Sequence, residues 1–165
     1  MEEKSLNALR WIVGIFDKHN IPYRIGGGFA ARAYGSSRPL NDIDISLSGQ
    51  YFPILLPDVS EYVTSGPQHY LNAKWDCDTL CLSYHGQDID ITDVDTLKMS
   101  NKEKVKWIVV KDTYRKFNPM MTDIDGIKVS LLDPRDLVAY KKELDGDHQL
   151  VDIQAVESYI KGKGL

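Results

Sequence analysis

Apolar positions change period several times along the chain, and each change marks an element. Leu6, Leu9, Val13 and Phe16 recur at helical spacing, so the first segment reads as an amphipathic helix ending near Asn20 and Pro22. Tyr23-Arg24-Ile25 reads as a short strand leading into Gly26-Gly27-Gly28, and residues 29–34 as a brief helix stopped by Gly35. The period then falls to two. Ile43, Ile45 and Leu47 alternate with Asp42, Asp44 and Ser46, the mark of a half-buried strand.

Residues 50–63, QYFPILLPDVSEYV, are apolar enough for a helix, but Pro53 and Pro57 restrict where one could begin. Residues 77–84 and 87–92 read as strands of a hairpin joined at His85-Gly86. KVKWIVVKDTY fits helix or strand. DIDGIKVSLL is a hairpin arm, since Asp125-Gly126 suits a tight turn. LDPRDLVAYKKEL opens a helix with Asp133 as N-cap, Pro134 at the first helical position and Asp136 in the first turn. A last helix runs from about Asp147 to Ile160. The order α-β-α-β-(α)-β-β-…-β-α-α predicts an α+β chain on a mixed sheet, with no repeats and no linker.

With 165 residues and 42% apolar content, one domain over 1–165 is the default. Its core would span about 1–98, with a C-terminal strand and helical tail over about 99–165. The opening MEEKSLNALRWIV is acidic and amphipathic, and no apolar run approaches a bilayer span, so neither a signal peptide nor a membrane partner is expected. Cys77 and Cys81 on one strand would lie about 13 Å apart. A disulfide needs Cα atoms within about 7 Å. A reducing, cytoplasmic setting fits. The net charge of −4 argues against non-specific nucleic-acid binding.

The acids are unevenly chosen: 18 Asp against 6 Glu. Asp-x-Asp occurs at 42/44, 76/78, 88/90, 93/95, 123/125 and 145/147, so context must select among six pairs. Asp125 and Asp145 precede Gly and belong to turns. Asp93 and Asp95 follow a strand, in a loop or at a cap, and Asp76 and Asp78 fit a solvated strand face. Asp42/Asp44 and Asp88/Asp90 differ because both interleave with isoleucine, as DIDIS and DIDIT. Each pair places its carboxylates on one strand face and its isoleucines on the other. Adjacent strands of this kind would crowd three or four carboxylates, which repel unless cations neutralise them. Two solvated strand faces are the plainer alternative. The glycine trio ahead of the first pair supplies the close backbone approach and free N–H groups that a phosphate chain needs.

The combination Gly27-Gly28, a short helix, then Asp42-Ile43-Asp44-Ile45 resembles the signature of the DNA polymerase beta-type nucleotidyltransferase superfamily. GGFAARAYGSSRPLNDIDI is similar to its small bacterial branch, which includes lincosamide and aminoglycoside nucleotidyltransferases and the minimal nucleotidyltransferases of toxin–antitoxin loci. That resemblance implies helices packed on a mixed, mostly antiparallel sheet with a C-terminal helical tail. It implies that Asp42 and Asp44 bind two Mg²⁺ (or Mn²⁺) ions. HGQDIDI puts the third carboxylate at Asp90, with Asp88 as the second candidate. It also implies phosphate contacts from Gly27, Gly28, Ser36, Arg38 and Lys141, with Ser37 beside them. A polar loop explains Ser36 and Ser37 equally well, and Arg38 could pair with a nearby Asp. The tail departs from the branch at Asp147-His148, which stand where an Arg is usual.

The activity implied is transfer of a nucleoside monophosphate from a nucleoside triphosphate to a hydroxyl on a small molecule, protein or RNA end. A binding or regulatory module on the same fold, antitoxin-like and acting through a partner protein, is the alternative. A haloacid-dehalogenase phosphatase also carries Asp-x-Asp, but at the end of an apolar strand; here the apolar residues follow the pair. His19, His69, His85 and His148 lack metal-ligand spacing, and Trp11, Trp75 and Trp107 read as core or rim residues.

Overall fold

In the computed structural model, which describes residues 1–165, the amphipathic first segment forms α1 (Glu3–Lys18). It is followed by β1 (Arg24–Ile25), α2 (Gly27–Ala33), β2 (Asp42–Leu47) and α3 (Phe52–Val59). Pro53 sits in the first turn of α3, where its missing N–H has no helical partner to lose. Then come β3 (Val63–Leu71), β4 (Trp75–Tyr84), β5 (Gln87–Asp93) and β6 (Lys98–Ser100). The ambiguous KVKWIVVKDTY divides into β7 (Trp107–Val109) and one turn of helix, α4 (Val110–Thr113). β8 (Met120–Ile124) and β9 (Ile127–Leu131) form the hairpin turned at Asp125-Gly126. α5 (Pro134–Lys141) and α6 (His148–Lys163) complete the chain.

All nine strands share one mixed sheet in the order β7-β6-β4-β5-β2-β1-β9-β8, with β3 paired to β4. Most pairings are antiparallel. Two are parallel, β2 with β5 and β1 with β9. The parallel β2–β5 pairing is the one that matters for chemistry, because its register sets Asp42 beside Asp88 and Asp44 beside Asp90.

The isoleucines explain why these strands lie where they do. Ile43, Ile45, Leu47, Ile89 and Ile91 turn to one face and join Leu9, Ile12, Val13 and Phe16 of α1 and Leu55 and Val59 of α3 in a core of 29 buried residues. A one-residue slip of β2 would send its three apolar side chains to the other face. Burial therefore fixes the register, and the register delivers the aspartates to the opposite face. Leu137 and Val138 of α5 and Ile153 and Val156 of α6 extend the core to the tail. Asp133 caps α5 by accepting from the Arg135 N–H at 2.9 Å.

Two expectations need correction. The second helix begins at Gly27, not at residue 29, so the glycines form its first turn instead of preceding it. β3 was not foreseen: its residues are mostly exposed and show no two-residue apolar alternation, because it lies outside the main run of strands, paired only to β4.

Candidate active site

Asp42, Asp44 and Asp90 converge. Each offers an oxygen, and the three oxygens lie within 4.8 Å of one another. Asp88, although in register with Asp42, is exposed and stays outside the group. No cationic side chain pairs with any of the three. Burial and the neighbouring Asp90 push the Asp42 carboxyl up to about 6. Burial, Asp42 and Asp90 push Asp44 up to about 7, against a smaller opposing pull from Lys141. Such a cluster is an all-oxygen donor set held short of cations. Its chemistry suits a hard divalent ion.

The glycine turn sits directly on this cluster. Gly26 donates its N–H to the Asp44 carbonyl at 2.9 Å, and Ala30 donates to the Gly26 carbonyl at 3.1 Å. The N–H groups of Gly27 and Gly28 are left without a protein acceptor at the start of α2. Gly27 has φ +56°, and a Cβ there would fall 2.0 Å from an Asp44 carboxylate oxygen. Only glycine lets the turn close over the acid. At Gly28 a Cβ would meet open space.

A cleft of about 520 Å³ contains the three acids and the three glycines. Arg38 and Lys141 line it too, but their charges are engaged. Asp152 on α6, fully buried, accepts from Arg38 Nη1 at 2.5 Å and from the Ser36 hydroxyl at 2.5 Å, and lies 3.0 Å from Lys141 Nζ. Lys141 also donates to Gln149 Oε1 at 3.0 Å. Burial alone would raise Asp152; the Ser36 hydroxyl, Lys141 and Arg38 outweigh it and hold the carboxyl below its ordinary range. Ser36 is thus buried and does not line the cleft. The structure brings together Asp42, Asp44, Asp90, Gly27, Gly28, Arg38 and Lys141, and sets Ser36 behind Arg38 as a partner of Asp152. Asp152 was missed in the sequence, although its position on the buried stripe with Ile153 and Val156 is a signal: an acid on an apolar helix face needs partners.

The remaining wall comes from β3, β4 and α5: Tyr70, Trp75, Cys77, Thr79, Cys81 and Tyr140. Trp75 stands at the cleft wall, whereas Trp11 stacks on Tyr84 with ring centroids 4.2 Å apart. Both cysteines are free, and burial pushes the Cys77 thiol up to about 11, so it is not a thiolate nucleophile. The other paired aspartates are structural. Asp93 accepts from the Gly49 and Asp95 N–H groups at 2.8 and 3.0 Å, and Asp76 and Asp78 share His69 at 2.9 and 2.8 Å. Asp145 pairs with Lys104 at 3.0 Å.

Solved structures resemble this arrangement as a whole. A putative nucleotidyltransferase from Thermotoga maritima (TM1012) superposes with a TM-score of 0.68 at 15% identity, over 99% of this chain and 95% of that one. The chain has the nucleotidyltransferase fold. Its likeness to ANT(2″)-Ia, solved in complex with adenylyl-2″-tobramycin, has a TM-score of 0.60 at 14% identity and covers 97% and 91% of the two chains. A nucleotidyltransferase-like protein from Paracoccidioides brasiliensis superposes at 0.56 with 16% identity, over 98% and 78%. No family model and no curated protein matches the sequence. No helix of this fold is long and apolar enough to cross a membrane.

Proposed function

We propose that the chain is a divalent-metal-dependent nucleotidyltransferase, acting as one unit over 1–165, that moves a nucleoside monophosphate from a nucleoside triphosphate to a hydroxyl acceptor. The observation that carries this reading is the convergence of Asp42, Asp44 and Asp90 within 4.8 Å, unpaired, under a glycine turn whose N–H groups are free. A metal site alone would not need the turn, and a phosphate site alone would not need the acids.

Asp42, Asp44 and Asp90 would hold Mg²⁺ or Mn²⁺, which supplies the Lewis-acid charge that stabilises a leaving pyrophosphate and acidifies a hydroxyl. The Gly27 and Gly28 N–H groups orient phosphate oxygens without a Cβ in the way. Arg38 and Lys141, tethered by Asp152, add positive potential at fixed positions instead of reaching out as free arms. Asp90 receives the acceptor's proton as its oxygen bonds to the α-phosphorus. The bond from that phosphorus to the bridging oxygen breaks, and pyrophosphate leaves with the electron pair. Most of the barrier is met by positioning and charge neutralisation. That one structural neighbour, ANT(2″)-Ia, is solved in complex with adenylyl-2″-tobramycin supports the reading. With both thiols free, a cytoplasmic setting suits the protein.

The test is incubation with each triphosphate, Mg²⁺ and a cell extract, followed by mass spectrometry for a nucleoside-monophosphate adduct. A metal-dependent adduct absent from Asp42→Asn/Asp44→Asn supports the reading. Tight Mg²⁺–nucleotide binding with no adduct on any small molecule, protein or RNA would instead make the chain an antitoxin-like binding module acting on a partner protein.

A further inference from the structure

Beyond the three acids, the row of side chains on β2 continues to Ser46, and there the sign of the charge reverses. Arg115 lines the cleft at this end, donating from Nη2 to the Ser46 hydroxyl at 3.2 Å and from Nη1 to the Tyr114 carbonyl at 3.0 Å. Its Nε is buried without a partner. Arg115 also forms the partition to a second hollow of about 690 Å³, which Arg24 and Lys111 line as well. No carboxylate lines that hollow.

Arg24, Lys111 and Arg115 pair with no acid, and Arg115 is set apart from the exposed cations of the surface by a buried Nε. Arg24 donates only to the Phe117 carbonyl, at 3.0 Å. Asp136, the acid that acts on Arg115 from a distance, is engaged by the Lys116 and Phe117 N–H groups at 3.2 and 3.1 Å. Burial, reinforced by the charge of Arg24, brings the Arg115 guanidinium down to about 10. Two neighbouring guanidiniums without a counter-ion are stabilised by an anion.

We infer that Arg115 and Ser46, which line both the cleft and the second hollow, form with Arg24 of that hollow a phosphate subsite for the acceptor, on the Ser46 side of the three acids. β1 runs antiparallel to β2, so Arg24 stands opposite Ser46 while the glycines stand at Asp44. Ser46 is two residues beyond Asp44, about 7 Å along the strand. In-line attack places the acceptor opposite the leaving pyrophosphate, and the glycine turn holds the pyrophosphate. The acceptor is therefore a hydroxyl compound that also carries a phosphate, and not a polycation: apart from the three acids at the reacting centre, no carboxylate lines the cleft. Identifying the bound anion as part of the acceptor rests on the proposed transferase reading; the anion subsite itself does not.

Ribose 5-phosphate and ribose are the paired probes, titrated calorimetrically into full-length protein saturated with Mg²⁺ and a non-hydrolysable ATP analogue, so that the glycine end is occupied. The expected result is at least tenfold tighter binding of the phosphorylated sugar, a preference lost in Arg115→Gln and in Arg24→Gln, with analogue affinity changed less than twofold. Arg24→Gln, at a half-buried position, keeps the test valid if Arg115→Gln fails to fold. Equal binding of the two sugars overturns the inference, and so does an undiminished preference in both variants. Loss of the preference once the analogue is bound would assign the cations to the nucleotide and also overturn it. Phosphate preference in a protein that transfers nothing would keep the subsite and sink the transferase reading instead.

Discussion

Two carboxylate centres, one in the cleft and one buried behind its wall, are built in opposite ways. Asp42, Asp44 and Asp90 face each other with no cation paired to them, and burial plus mutual repulsion raise Asp42 and Asp44. Asp152, fully buried where the triad is half-buried, is surrounded by a hydroxyl, a guanidinium and an ammonium, and is lowered. The cations that could have neutralised the triad are tied to the tail helix instead. Asp152 is satisfied within the chain, whereas the triad is left without cations, as the proposed metal site requires.

The largest effect should come from breaking the satisfied centre. Asp152→Ala strands the buried Lys141 and frees Arg38, so unfolding free energy should drop by about 3 kcal/mol or more in denaturant titration. A loss below about 1 kcal/mol, the range of exposed pairs, would mean that α6 is not anchored by this carboxylate.

The unsatisfied centre should behave in the reverse sense. At 100-fold excess over its dissociation constant, Mg²⁺ should stabilise the wild type by about 2.7 kcal/mol. Asp42→Asn/Asp44→Asn should lose that gain while being more stable than wild type without metal. Equal Mg²⁺ responses in thermal melts would place the ion elsewhere.

A smaller effect separates nucleotide from metal. Gly28→Val puts side-chain bulk into open cleft without meeting protein atoms at its Cβ, so Mg²⁺ binding should survive while nucleotide binding weakens at least tenfold, about 1.4 kcal/mol. A folded variant with unchanged nucleotide affinity would remove the glycine turn from the mechanism.

A further trend, with pH, belongs to the metal-free protein. Asp42 and Asp44 titrate at about 6 and about 7 in the folded state, against 3.8 as the ordinary value. The folded chain therefore holds protons that the unfolded chain has released. Their contribution is full below about pH 4 and is lost as pH rises through about 7. Asp152, lowered, runs the other way and loses its contribution as pH falls below the ordinary carboxylate range. Thermal melts from pH 4.5 to 7.5 should show a decline that flattens in Asp42→Asn/Asp44→Asn. An identical slope in both proteins would deny the mutual repulsion.

Much of this contrast could be read from the chain. Alternating DIDIS and DIDIT told which face each side chain takes, since period two is a local property of strands. What lay beyond reach was long-range. The resemblance favoured Asp90 over Asp88, but the residues alone did not, because that choice rests on the parallel register of β2 and β5, 46 residues apart in sequence. Arg38 and Lys141 were placed near the phosphates by resemblance, but their shared partner Asp152 is more than 100 residues from Arg38. The proximity of Gly27 to Asp44 is likewise tertiary, and β3 carried no periodic signal because side chains on both of its faces are largely exposed.

The most direct measurement is calorimetric titration of Mn²⁺, with ATP present, into wild type and single asparagine variants at Asp44, Asp90 and Asp88. The account predicts that Asp44→Asn and Asp90→Asn each weaken Mn²⁺ at least tenfold, while Asp88→Asn, one register step outside the cluster, stays within about twofold of wild type. Equal losses in Asp88→Asn and Asp90→Asn, or no loss in Asp90→Asn, would contradict it.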